Sequence, residues 1–202
     1  MNDSFKLASI PESLTWKNQP LESTSDAEGQ ISITTGIQTD WFIDPAGEHV
    51  KDNAPIALFV PPDSTFKLQA KVTVEFAATY DAGTLFVYAH DALWAKLCFE
   101  YSPQQQPMVV SVVTRGVSDD CNSVDIRGQS VYLRVYRHNQ VLAFHYSLDG
   151  HYWHFVRHFS LGNWEQLCFG FSTQSPLGQR CKAIFSEIRY TPSALPDLRN
   201  GE

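Results

Sequence analysis

An all-β antiparallel fold, a sandwich or barrel of many short strands, is what this sequence predicts, and three observations carry it. Short alternating or β-branched runs recur along the whole chain. Turn-forming clusters separate them, as at Pro61–Ser64, Tyr80–Gly83, Ser102–Pro107 and Asp149–Gly150. No stretch sustains the three- and four-residue apolar spacing of an amphipathic helix.

Taken in order, the runs are ISIT at 31–34, IALFV at 56–60, FKLQAKVTVEF at 66–76 and GTLFVYAH at 83–90. LWAKLCFEY at 93–101, MVVSVVTR at 108–115, SVYLRVYR at 130–137 and VLAFHYS at 141–147 follow. The last three span 151–159, 165–173 and 181–190. Prolines cluster in the loops, where a missing N–H costs no ladder bond. The tail TPSALPDLRNGE is expected to be poorly ordered.

With 202 residues and no linker-like shift in composition, the chain reads as a single domain over 1–202, its core about 14–190. A hydrophobic content of 43% suits a sizeable core. The net charge of −7 and pI near 5.4 argue against a nucleic-acid or anionic-membrane surface, which needs a basic footprint. MNDSFKLASIPESLTW lacks the basic start and apolar core of a signal peptide, and no run is long enough to cross a membrane. A cytoplasmic protein is expected, with Cys98, Cys121, Cys168 and Cys181 as reduced thiols. GxGxxG and P-loop patterns are absent, so no cofactor is expected.

Register follows from binary pattern, because a one-residue slip moves every core side chain to the other face. Pairing Val135 with Leu142 and Leu133 with Phe144 puts Val131, Leu133, Val135, Leu142, Phe144 and Tyr146 on one face. Tyr132, Arg134, Tyr136, Ala143, His145 and Ser147 take the other. A two-residue Asp149-Gly150 hairpin then sets His145 opposite His154 and sends Trp153 and Phe155 to the core. In 93–101 and 108–115 the same reasoning buries Ala95, Leu97, Phe99, Tyr101, Met108, Val110 and Val112. Leu167, Phe169 and Phe171 alternate with Cys168, Gly170 and Ser172.

If these hairpins share one sheet, its polar face carries Trp94, Lys96, Glu100, Ser111 and Arg115 beside Tyr132, Arg134, Tyr136, His145, His154 and Ser172. Every antiparallel sandwich has an outer polar face. Here rings and arginines outnumber Lys, Glu, Thr and Asp, which is the composition of a binding surface.

Several segments together resemble one family. They are TDWF (39–42), Tyr80-Asp81-Ala82-Gly83 through LFVYAHDALWAKLCFEY, SVVTRGVSDD (111–120), and YSLDGHYW with Arg157. From about Leu14 to Tyr190 the chain resembles the domain of unknown function 1349 family, also called regulation-of-enolase-like. The resemblance implies a two-sheet antiparallel jelly-roll β-sandwich of the concanavalin A-like lectin/glucanase superfamily, with ligands on the concave face. It implies no established reaction or catalytic residue. Cys98 stands where a Gly is expected, and Cys121 follows SDD where an aromatic is expected.

Candidate chemistry is sparse. Glycoside hydrolysis needs two carboxyls ~5–5.5 Å or ~6.5–9.5 Å apart. Only Glu100 is expected mid-strand on the polar face, with Lys96 four residues away, a pattern more often an ion pair. Asp119, Asp120 and Asp125 form an acidic loop that could hold a hard cation, or simply cap turns. His151, His154 and His158 do not converge: His151 points away, and His154 and His158 lie ~13 Å apart along a strand. No metal site is therefore assigned. His145 and His154 read as a hydrogen-bonding or pH-sensitive pair.

The leading expectation is a non-catalytic module that binds a carbohydrate or other small polar ligand on the ring-and-cation face. The alternatives are a glycan-active hydrolase using Glu100, and a protein-interaction or regulatory module of carbohydrate metabolism with a protein partner.

Overall fold

The computed structural model describes residues 4–164 and 166–202. Residues 1–3, which open the segment read for a signal peptide, and Glu165, which opens the expected 165–173 strand, lie outside the described residues. The strands are β1 (Ser4–Phe5), β2 (Leu14–Lys17), β3 (Glu22–Ser25), β4 (Ile31–Thr35), β5 (Trp41–Ile43) and β6 (Val50–Asp52). Then come β7 (Ile56–Phe59), β8 (Thr65–Glu75), β9 (Ala82–His90), β10 (Leu93–Tyr101), β11 (Pro107–Arg115) and β12 (Val117–Asp125). The chain closes with β13 (Ser130–His138), β14 (Val141–Ser147), β15 (His154–Phe159), β16 (Cys168–Gln174) and β17 (Cys181–Thr191). Among the described residues no helix is long and apolar enough to cross a membrane.

Two large antiparallel sheets pack as a jelly-roll sandwich. The eight-stranded sheet runs β1-β2-β7-β16-β9-β10-β11-β12, and the seven-stranded sheet runs β15-β14-β13-β8-β17-β4-β3. The hairpin β5–β6 stands apart from both. In β8 strict alternation sends Phe66, Leu68, Ala70, Val72 and Val74 inward, each fully buried, while Lys67, Gln69 and Lys71 face out. They meet Leu85, Leu97, Phe99 and Phe171 of the other sheet. The sheets approach so closely at Gly83 that a Cβ there would lie 2.7 Å from Val72 Cγ1.

β10 is buried on both faces except at its last two residues. The cause is Trp41 of the β5–β6 hairpin, which lies edge-on to Phe86, Tyr88 and Trp94 at 5.8–6.0 Å and closes a second apolar cluster outside the sandwich. This cover overturns the expected facing of β11. Lys96 pairs with Val112, Cys98 with Val110 and Glu100 with Met108, so those three apolar residues share the Lys96 face. Val109 and Val113 fill the core instead, and Ser111, opposite Leu97, is turned inward and buried.

Two further registers differ from expectation. β13 and β14 pair Val135 with Phe144 and His138 with Val141, so the two-residue turn falls on Asn139 and Gln140, and the φ of 55° at Asn139 suits a short polar side chain. The shift is by two residues, so both faces keep their members. β14–β15 carries a register irregularity between Phe144 and His145, and this exchanges faces. His145 lies opposite Phe155, not His154, and His154 stacks on Tyr146 with ring centroids 4.7 Å apart. The connection before β15 runs from Leu148 to Trp153, since Asp149 accepts the N–H groups of His151 and Tyr152 on its own carboxylate. Those two bonds and the Ser147 hydroxyl depress its pKa to about 2.

Candidate functional site

The expected single polar face is split between the two sheets. Trp94, Lys96, Glu100 and Ser172 belong to the outer face of the eight-stranded sheet. Tyr132, Arg134, Tyr136 and His145 belong to the outer face of the other, where all but Tyr132, which donates to Glu187 at 2.9 Å, are covered. The C-terminal segment, expected to be disordered, lies across it. Arg134 donates to the Gly201 carbonyl at 2.7 Å, and His145 Nε2 meets the Leu198 carbonyl at 2.7 Å. The Tyr136 hydroxyl accepts the Leu195 N–H at 3.3 Å, with Leu195 buried against Tyr136 and Ala143. Trp153, expected in the core, lies beneath Gly201 with the Arg134 guanidinium 3.6 Å from its ring centroid. Arg115 ends on the other side of β11 and donates to the Ser160 carbonyl.

The open site is a cavity of about 700 Å³ on the outer face of the eight-stranded sheet. β11 supplies an apolar floor of Met108, Val110 and Val112. β10 supplies Lys96 and Glu100, β12 supplies Asp120 and Asn122, and β16 supplies Gln174. The β5–β6 hairpin brings Asp40, Phe42, His49 and Lys51, with Phe42 and His49 stacked at 5.7 Å. Tyr80 and Leu177 stand exposed at the mouth. Trp94 packs under Trp41 beside this cavity, and Ser172 is buried on the same face without lining it.

Lys96 is 2% exposed. Its ammonium donates to Asp40 Oδ1 at 2.9 Å, the Trp41 carbonyl at 2.7 Å and Gln174 Oε1 at 2.7 Å, which uses every proton it has. Burial is the largest influence and opposes its charge, but Asp40, Cys98 and Glu100 together outweigh it and the pKa rises. The ion pair expected with Glu100 is therefore made with Asp40. Among the described residues Glu100 receives only a long 3.5 Å contact from the Gln174 amide. Burial pushes its pKa up to about 8, against the pull of Lys96 and with the help of Asp40 and Asp120. Asp120 is also raised, first by burial, with Lys96 opposing and Asp40 assisting.

The expected acidic loop is the edge strand β12. Asp120 faces the cavity, whereas Asp119 points to the other side and pairs with Arg157 at 2.9 Å. Among the described residues no three His, Cys, Asp or Glu converge as metal ligands. Sequence reasoning did not place Asp40, Asn122, Gln174, Tyr80, Phe42 or His49 in a site. The TDWF string holding Asp40 and Phe42, and the Tyr80-Asp81-Ala82-Gly83 string, were the available signals.

A family model described as "Protein of unknown function (DUF1349)" matches residues 16–193. A functionally unknown protein from Saccharomyces cerevisiae superposes with a TM-score of 0.82 at 25% identity, covering 90% of this chain and 97% of that one. The K247S mutant of the GH43 protein BlXynB from Bacillus licheniformis gives 0.66 at 15% identity, covering 82% of this chain and 33% of that one. An alginate lyase from Klebsiella pneumoniae gives 0.54 at 11%, covering 85% and 84%. The last two share the fold alone, and the chain spans about a third of the GH43 protein. Among curated proteins none matches.

Proposed function

The chain belongs to the family of proteins of unknown function DUF1349, and we propose that it is a binding module that takes a carbohydrate or related polyol in the cavity beside Glu100. The observation that carries this reading is the lining itself. An apolar floor of Met108, Val110 and Val112 is ringed by oxygen and amide groups of Asp40, Glu100, Asp120, Asn122 and Gln174, with rings at Phe42, His49 and Tyr80. A sugar has matching parts: apolar C–H faces for the floor and rings, and hydroxyls for the acceptors. The volume falls in the range of small-molecule sites, roughly 300–1,000 Å³. The sugar-acting name among structures of like fold is fold-level support only.

Calorimetric titration of a panel of mono- and oligosaccharides tests this. Binding should appear in the unmodified chain and weaken at least about tenfold in Asn122→Ala, whose side chain lines the cavity away from the core. A panel without any binder would end the carbohydrate reading.

One observation favours a second reading, a glycan-cleaving enzyme. Burial holds Glu100 largely protonated near neutral pH, the state a general acid needs. Turnover of a glycan that survives Glu100→Gln would remove Glu100 from that role.

A further inference from the structure

The charges around the cavity narrow the ligand class, on the assumption that the cavity is the sugar site proposed above. Its acids are Asp40, Glu100 and Asp120, and its lysines are Lys51 and Lys96. Lys96 has nothing to offer a ligand, because all three of its protons end on protein oxygens. Lys51 sits toward the hairpin, its ammonium 3.5 Å from the Gln38 carbonyl.

The carboxyls are differently placed. Strand pairing sets Lys96, Val112 and Asp120 in one row across β10, β11 and β12, so Asp120 overlooks the apolar floor from the sheet edge. Glu100 overlooks it from the Met108 row. Asp40 comes from the hairpin side, and its Oδ1 already accepts from Trp41 N–H and Lys96. Its Oδ2 has no partner among the described residues. The floor is thus overlooked by three carboxyls, while Lys96 is neutralised within the protein and Lys51 stands on the hairpin side.

We infer that the cavity selects a ligand carrying an ammonium group, an amino sugar in preference to a neutral or acidic sugar, held between Glu100, Asp120 and Asp40. An ammonium supplies donors to those oxygens, and an acidic sugar would bring a further anion beside three carboxyls. The half-buried Glu100, with Asp40 and Asp120 nearby, has its pKa raised to about 8. A bound cation would displace that proton, so binding near neutral pH is coupled to proton release.

The test is calorimetry at pH 7 with D-glucosamine, N-acetyl-D-glucosamine, D-glucose, D-glucuronate and spermidine, each in two buffers of different ionisation enthalpy. D-glucosamine should bind at least about tenfold more tightly than its N-acetyl form, which has the same ring without the charge. Its binding should release protons, and Glu100→Gln should abolish that release. Asp120→Asn should erase most of the preference. Equal or tighter binding of glucose, the N-acetyl sugar or glucuronate would overturn selection by charge and leave the carbohydrate reading standing. Spermidine bound with no sugar bound would overturn the carbohydrate reading and leave selection for a cation. No binding by any probe would overturn both.

Discussion

Arg134 and His145 face each other directly across β13 and β14, and each holds a backbone carbonyl of the chain's own C-terminal segment. His145 donates through Nε2, so its Nδ1 is a bare acceptor, buried and without a partner among the described residues. Beside the pair lie Lys67 and Gln69 of β8, Phe155 and His158 of β15, and Arg199 over the Phe155 ring, and the tail that crosses this face also carries Asp197 and Glu202. None of these carboxylates forms an ion pair with either residue.

Acid should therefore loosen the tail. Burial, aided by Arg134 and opposed by the bond to Leu198, lowers the His145 pKa from 6.5 to about 4. Folding thus excludes a proton that the unfolded chain binds between those values. The stability is complete above about pH 6.5 and is lost as the pH falls toward 4, by roughly 3 kcal/mol for the full interval. Hydrogen exchange of residues 195–202 at pH 7 and pH 4.5 would detect it, and His145→Gln should flatten the dependence. Equal protection at both pH values would refute it.

Lys96 gives a second expectation. Lys96→Met leaves Asp40 without its cation and Gln174 Oε1 without its donor in a buried place. Removing one partner of a buried pair costs on the order of 3–5 kcal/mol. Urea unfolding should show that loss, and Asp40→Asn, which keeps an acceptor for Lys96, should cost less. A loss below about 1 kcal/mol would mean the pair is solvated.

The strands and sheets differ in how far the sequence reveals them. All eleven expected runs are strands wholly or in part. β3, with ESTS fully exposed, and the edge strand β12, with VSDDCNSVD, carry no apolar alternation because they bury little. Faces were legible in 130–147 because a register error of two preserves parity. They were not legible in 107–115, where both faces are apolar: one fills the core and the other lies under the cavity and the β5–β6 hairpin. Nothing local to Arg134 or Lys96 says that they belong to different sheets, since strand order depends on crossovers between distant segments.

Glu100 should make the protein less stable as pH rises. Its folded pKa of about 8 stands above the ordinary 4.5, so the native state holds a proton the unfolded chain has released. The stabilisation is complete below about pH 4.5 and is lost as the pH climbs through 8. Glu100→Gln, permanently neutral, should escape that loss and gain at least about 1 kcal/mol on wild type between pH 5 and 8. Thermal melts across that range check the sign, and parallel curves for the two proteins would contradict it.

Gly83 tests how tightly the sheets meet. It lies opposite Phe99 on the inner face, where an added Cβ would come 2.7 Å from Val72 Cγ1 and 2.9 Å from Ala183 Cβ. Both neighbours are fully buried side chains on strands, with little room to retreat. Gly83→Ala should cost about 1–3 kcal/mol by overpacking, despite the usual gain from replacing a strand glycine. Val72→Ala removes Cγ1 and leaves a cavity, so it is destabilising by itself. Combined with Gly83→Ala it should lose less than the sum of the single losses, since each change relieves the other. A double variant whose loss equals that sum would show that the two residues do not share this space.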